Sequence, residues 1–272
     1  MIARFLAGSA LSLGLVASWL PSAAIAETWQ LEYVGMLGQV PLMTADLRAE
    51  IAQEGSGLGA FYVTANAGTA GTGAEALFPF QIQFETNGGR RGADLAPLWH
   101  RSQSVAWQKQ QRIDLDYALN GAVTVFADPP NRMTESAIDQ GLVAGTVDPV
   151  SAAMTLIDQI MQSGGCSGAV AVFDGMRRYD LSALESGASA PPARLSGSTG
   201  PAHGDAIACR VAVAYRSGLP ANASQSNFYP NEATIWLAPL TGYDQVVPIV
   251  AVATLPMGQI RLELLSAAQL PD

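Results

Sequence analysis

Two cysteines, two histidines and one dense run of charged and aromatic residues are the groups in this sequence whose types could do chemistry. Cys166 and Cys209 make an even count, and in an exported chain that is most simply read as one disulfide. Closing the 43 positions between them would restrict the unfolded chain by roughly 4 kcal/mol in the loop-entropy account. The rival chemistry is a nucleophile, since Gly164-Gly165-Cys166-Ser167-Gly168 matches the G-x-nucleophile-x-G elbow. That elbow needs a strand entering and a helix leaving, and here the expected helix comes first. His100 and His203 are far apart and not in metal-ligand spacing, and His203 lies in a Gly-Pro loop, so no metal site is expected. Asp114 and Asp116 share one strand face, which reads as a solvated face before an acid/base pair.

The polar cluster that stands out is Asp174, Arg177, Arg178, Tyr179 and Asp180 around a predicted Asp174-Gly175 turn. An arginine beside an aspartate can form a bidentate pair that fixes strand register, and the functional alternative is a clamp for an anion or a carboxylate. Trp236, Phe228, Tyr229 and Tyr243 read as core or as the lining of a ligand cavity. Asn222-Ala223-Ser224 is a glycosylation sequon by pattern alone. The mature chain carries no serine-hydrolase elbow, phosphate-binding loop, zinc-protease helix or dinucleotide fingerprint. No catalytic residue and no cofactor is therefore expected.

These groups sit in a chain that looks exported. Arg4, the apolar run Phe5 to Leu20 and the small-x-small site Ala24-Ile25-Ala26 form a signal peptide over residues 1–26, leaving one β-rich domain over 27–272. A retained anchor is the alternative, but the uninterrupted run is shorter than the roughly 20 residues a spanning helix needs. A net charge of −9 argues against nucleic acid, whose phosphates call for clustered Lys and Arg. With 14% charged and 49% hydrophobic residues, the chain should form a packed globule.

Alternation sets the elements. Ile113, Leu115, Tyr117 and Leu119 alternate with polar residues and lead through Asn120-Gly121 to Val123 and Val125, which predicts a hairpin with a type I′ turn. Further hairpins pair Ala169–Phe173 with Arg177–Leu184, and Val246–Leu255 with Gln259–Leu265 across Pro256-Met257-Gly258. In the last strand Ile260, Leu262 and Leu264 should face the core and Arg261 and Glu263 the solvent. Trp29–Gly35, Gln39–Glu50, Gly59–Asn66 and Leu77–Glu85 add four strands, while Gly68–Gly73 and Ser186–Gly204 read as flexible loops. One α-helix is expected near 149–162, capped by Asp148, started by Pro149, ended by Ser163-Gly164-Gly165, with Val150, Met154, Ile157 and Met161 on its apolar face. The fold class is mainly β: an antiparallel meander forming a curved sheet, half-barrel or barrel, with the helix either plugging its open side or packed on its convex face.

Five segments in this order carry a family resemblance: TVDPVSA (Thr146 to Ala152), VFDGMRRYDL after Cys166 (Val172 to Leu181), CRVAVAY (Cys209 to Tyr215), WLAPL (Trp236 to Leu240) and VPIVAVATLPMGQIRLELL (Val247 to Leu265). The chain resembles the domain of unknown function 3108 family of exported bacterial proteins. The resemblance implies a largely antiparallel β fold in a Gram-negative periplasm, supports the cysteine pairing, and carries over no activity. The expected function is that of a non-enzymatic periplasmic protein whose curved sheet holds a hydrophobic ligand, a lipid or an acyl chain. The alternative is an envelope assembly or structural interaction protein, using strand edges or the Ser186–Gly204 loop.

Overall fold

The computed structural model describes residues 25–53, 58–91, 94–130, 138, 140–187, 190–192, 206–218, 230–256 and 258–271. Its strands are β1 (Ile25–Leu37), β2 (Val40–Gln53), β3 (Leu58–Gly68), β4 (Phe80–Arg91), β5 (Asp94–Ala106), β6 (Lys109–Tyr117) and β7 (Val123–Asp128), then, after α1 (Pro149–Ser163), β8 (Gly168–Phe173), β9 (Arg178–Glu185), β10 (Ile207–Ser217), β11 (Glu232–Pro239), β12 (Val246–Leu255) and β13 (Gly258–Leu270). All thirteen pair antiparallel in one sheet, in the order β7-β6-β5-β4-β3-β2-β1-β13-β12-β11-β10-β9-β8. The two meanders are joined where β1 pairs with β13. β1 begins two residues ahead of the expected cleavage point, and residues 1–24 lie outside those described.

The sheet curls until its ends meet without a closing ladder. Ile113 and Leu115 of β6 pack with Phe173 of β8 and with Val143. A Cβ on Gly175 would lie 2.2 Å from Ile113 Cγ2, so the β8–β9 turn touches β6 at a point that only glycine, here at φ 86°, can occupy. Residues 143–148 bridge the gap. Gly145 N donates to Gly121 O, and Val147 forms a parallel bridge with Val172, donating to Ala171 O and accepting from Phe173 N.

Helix α1 lies on the concave side. Leu156 and Ile160 pack against Ala183, Cys209 and Leu237 of one wall, while Val150 and Met154 pack against Phe61, Val63 and Leu95 of the other. Asp148 caps it as its sequence position predicts, with Oδ1 accepting from Val150 N (2.9 Å) and Ser151 N (3.0 Å), and Gly164 at φ 68° ends it. The buried face differs from the expected one. Ser151, Ala152, Thr155, Leu156 and Ile160 are buried, whereas Val150, Met154 and Ile157 are half-buried and Met161 is exposed. A helix wrapped by a curved sheet is covered on more than one side, so its largest aliphatics need not mark its most buried face.

Three further expectations change. Asn120-Gly121 does not form a type I′ turn: Gly121 has φ 82° but Asn120 does not reach positive φ, and the loop closes through Gly121 N to Ala118 O and Ala118 N to Ala122 O. The type I′ geometry instead falls at Trp107-Gln108, φ 47° and 65°, in the two-residue connection of β5 to β6. Bulky residues disfavour this region. Replacing Trp107-Gln108 by Asn-Gly is therefore expected to raise stability by about 1 kcal/mol, measurable by urea unfolding, and a loss of stability would contradict this account of the turn. The strand expected from Leu77 starts at Phe80, after a 3-10 turn at Ala74–Ala76. The loop before it is pinned, not flexible: Thr69 Oγ1 donates to Phe78 O (2.7 Å) and Thr72 Oγ1 to Thr69 O (2.7 Å) and Leu42 O (3.2 Å).

The last correction concerns β13. Arg261 and Glu263, expected in solvent, are buried on the convex face and paired at 3.0 Å. Trp236 and Val250 lie in register beside Glu263, and Arg261 donates to Pro192 O, so part of the Ser186–Gly204 segment lies along this face. Alternation presumes one wet face, and here both faces are covered. Residues 188–189 and 193–204 of that segment lie outside those described.

Candidate functional site

The helix-bearing face of the sheet is largely apolar along the strands. Around α1 Trp29, Leu31, Phe61, Val63, Cys209, Leu237 and Leu264 are buried, with Val170, Leu181, Ile207 and Val211 half-buried among them. Toward the end where the β1–β2, β3–β4, β5–β6 and β12–β13 turns lie, the residues on the same face are half-buried. Ile82 and Phe84 stand on one wall, Val213, Ile235, Ala251 and Leu262 on the other. The register places all six on one face, since Ile235 pairs with Ala251, Ala251 with Leu262, and Phe84 with Ala65 beside Val63. Here α1 fills one end, and at the other the apolar wall is half-buried.

Beneath this cup is a buried polar tie that the sequence did not disclose. Thr86 on β4 and His100 on β5 are cross-strand partners, and His100 Nδ1 lies 2.7 Å from Thr86 Oγ1. Thr86 Oγ1 donates to Asp148 Oδ1 (3.2 Å), and Ser151 Oγ donates to Asp148 Oδ2 (2.6 Å). Because the threonine proton goes to the carboxylate, the imidazole must carry its proton on Nδ1 and donate it to the threonine oxygen. Burial pushes the Asp148 carboxyl up, but the His100 imidazole, whose Nδ1 also lies 3.4 Å from Asp148 Oδ1, and the Ser151 hydrogen bonds outweigh this and hold it below the usual carboxylate range. A hydroxyl, an imidazole and a carboxylate in contact are the groups of nucleophilic catalysis, and here all four side chains are buried. What the arrangement does is fasten the start of α1 to β4 and β5. The ion pair of Arg90 with Asp158 fastens its middle, and Gln159 Oε1 accepts from Ala169 N.

The expected polar cluster is brought together as a brace. Asp174 Oδ1 accepts from Met176 N and Arg177 N, and Arg177 directs Nε and Nη2 at Oδ2 (2.8 and 2.6 Å), so both guanidinium contacts fall on the oxygen the turn leaves over. Arg178 holds Asp180 (2.6 Å) and donates from Nε to Leu142 O, which ties the bridging segment down, and Arg216 Nε also reaches Asp180. Burial raises the Asp180 carboxyl, and the hydrogen bonds of Arg178 and Arg216 more than reverse this. Tyr179 leans on Tyr215 at 5.6 Å, and burial pushes both its hydroxyl and that of Tyr117 well up from the usual range. Asp114 is paired with Arg112 (2.7 Å) and Asp116 with Arg101 (2.6 Å) on the convex face.

Cys166 and Cys209 are disulfide-bonded, with Cα atoms 5.3 Å apart, which anchors the end of α1 to β10. Of the aromatic residues considered for a cavity, Trp236 faces outward and Tyr243 packs edge-on to Trp29 at 4.7 Å, while Phe228 and Tyr229 lie outside the described residues. His203 and the Asn222-Ala223-Ser224 sequon also lie outside them. Among the described residues no three His, Cys, Asp or Glu side chains converge as a metal-ligand set.

The family model for Protein of unknown function (DUF3108) matches residues 30–265, from β1 to β13. The chain belongs to this family. The match takes in the cup wall, the buried tie and the disulfide of this DUF3108 chain. Its sequence matches no curated protein significantly. A solved structure, the beta-barrel-like protein of domain of unknown function DUF1849 from Brucella abortus, is similar at 12% identity and TM-score 0.48, covering 92% of this chain and 100% of that one. Among the described residues no helix is long and apolar enough to cross a membrane.

Proposed function

We propose that this chain is an exported, non-enzymatic protein that binds a hydrophobic ligand, a lipid or acyl chain, in the open end of its curved sheet. The observation that carries the reading is the band of half-buried apolar side chains, Ile82, Phe84, Val213, Ala251 and Leu262, on the inner face of the curved sheet, above a helix held in place at both ends. Apolar concavities with few polar groups are the usual form of sites for apolar ligands, and barrel mouths are frequent places for them. The disulfide fits an oxidising compartment such as the periplasm. A second reading, an envelope interaction protein, is favoured by β7, which among the described strands pairs only with β6 and exposes Val125 and Phe126.

The test is binding of a fluorescent sixteen-carbon fatty acid to the delipidated chain. Ala251→Trp, which fills the space in front of the inward wall, is expected to weaken binding by roughly tenfold or more. Thr254→Trp on the opposite, exposed face of β12 should leave it unchanged. Equal affinity of the two variants would sink the proposal, and in that case crosslinking through β7 becomes the experiment for the second reading.

A further inference from the structure

The turns at the open end of the cup are unusual in what they expose. Val40 follows the β1–β2 turn, Leu77 and Phe78 lie on the β3–β4 connection, and Trp107 sits at the tip of the β5–β6 turn, 61%, 73%, 43% and 60% exposed. They belong to one stretch of rim, because their strands are neighbours in the sheet. Thr72 beside the 3-10 turn donates to Leu42 O, and the Phe78 and Trp107 rings meet edge-on at 6.1 Å. Trp107 also holds a backbone conformation that bulky residues disfavour, in a turn where Asn or Gly would be at ease. A strained and exposed tryptophan with little packing around it points to a use outside the fold.

Charge selects the partner. Across the described residues of the β1–β2, β3–β4, β5–β6 and β12–β13 turns the charged side chain is Glu75, turned onto Gly71 N, with Lys109 following at the first residue of β6, and the β8–β9 turn at the same end carries Asp174 and Arg177 paired with each other. The whole chain carries −9, so an anionic surface would repel it and a basic protein would find no acidic patch here. A neutral rim of Trp, Phe, Leu and Val matches a zwitterionic bilayer, where tryptophan settles at headgroup depth and aliphatic side chains reach the acyl region.

We propose that this rim docks on a zwitterionic phospholipid bilayer, with the mouth of the cup facing the acyl chains. The inference rests on the apolar-ligand reading for its purpose, since a docked mouth lets a chain pass between bilayer and cup without crossing water. The docking itself rests on the rim alone.

Flotation of the mature chain with phosphatidylcholine vesicles is the experiment, with brominated phosphatidylcholine as quencher of tryptophan fluorescence. The wild-type chain is expected to float and to be quenched, with Trp107→Phe removing most of the quenching. The Trp107→Asn, Gln108→Gly double variant should be at least as stable in urea yet partition roughly tenfold less, as should Leu77→Ser. Failure of the wild type to float, flotation equal in both rim variants, or dependence on phosphatidylglycerol vesicles would each overturn the proposal. The fatty-acid probe in vesicle-free solution separates the two ideas. Retained probe binding by rim variants that no longer float supports docking as a separate function, and flotation without probe binding leaves the rim standing while the cup falls.

Discussion

Replacing Asp148 by alanine is expected to cost about 3 to 5 kcal/mol of unfolding free energy, the sum of a lost helix cap and of buried partners left without an acceptor. Asp148 accepts from Val150 N, Ser151 N, Ser151 Oγ and Thr86 Oγ1 together, and it is itself fully buried. Removing it also breaks the relay that begins at His100, so the imidazole and threonine must reorganise in a space closed to solvent. Denaturant unfolding measures this directly, and a loss below about 1 kcal/mol would mean that the tie is ornamental.

The pH dependence of the same group has a definite sign. Its folded carboxyl is held below the ordinary range, so the stability it contributes is complete above the unfolded value of about 3.9 and is lost as pH falls through the folded value. The wild-type chain should therefore weaken on acidification below about pH 4, and Asp148→Asn should flatten that slope. Asp180 titrates in the same direction through Arg178 and Arg216 and remains in the variant, so the slope lessens without vanishing. A slope unchanged by Asp148→Asn would contradict the assignment.

The second large effect is expected at the other end of the helix. Exchanging Cys166 and Cys209 together for alanine should lower stability by roughly 4 kcal/mol, because their bond closes a loop of 43 positions that the unfolded chain would otherwise explore. The loop spans the turn after α1, β8, β9 and the long segment leading to β10, so amide exchange should accelerate first in the last turn of α1 and in β8. Treatment of the wild-type chain with reductant should reproduce the loss. Equal unfolding midpoints with and without reductant would rule out this anchoring role.

Much of the meander was legible because each strand carries its own period-two signal: Ile113 and Leu115 announce β6 whatever surrounds them. The helix was legible from its ends, where Asp148, Pro149 and Gly164 act locally. What failed depended on surroundings. The apolar face of α1 was misjudged because two walls of sheet cover it, and β13 was misjudged because Arg261 and Glu263 are covered from outside. The Trp107-Gln108 turn was missed because nothing in those two residues favours positive φ, and the sheet imposes it through the pairing of Ala106 with Lys109. Thr86, His100 and Asp148 were invisible as a unit because hairpin register joins the first two and the helix start brings the third from 62 positions away. The cup wall could have been found by collecting every second residue of successive strands and noting that the set holds no charge, although its openness depends on how far α1 reaches.

The most direct measurement is mass spectrometry of organic extracts from the chain purified without detergent from cells that make it naturally. The account predicts an acyl-chain lipid recovered in near-stoichiometric amount and lost in Ala251→Trp but retained in Thr254→Trp. A chain that comes away empty in every preparation, and that takes up no fatty-acid probe when offered one, would contradict it.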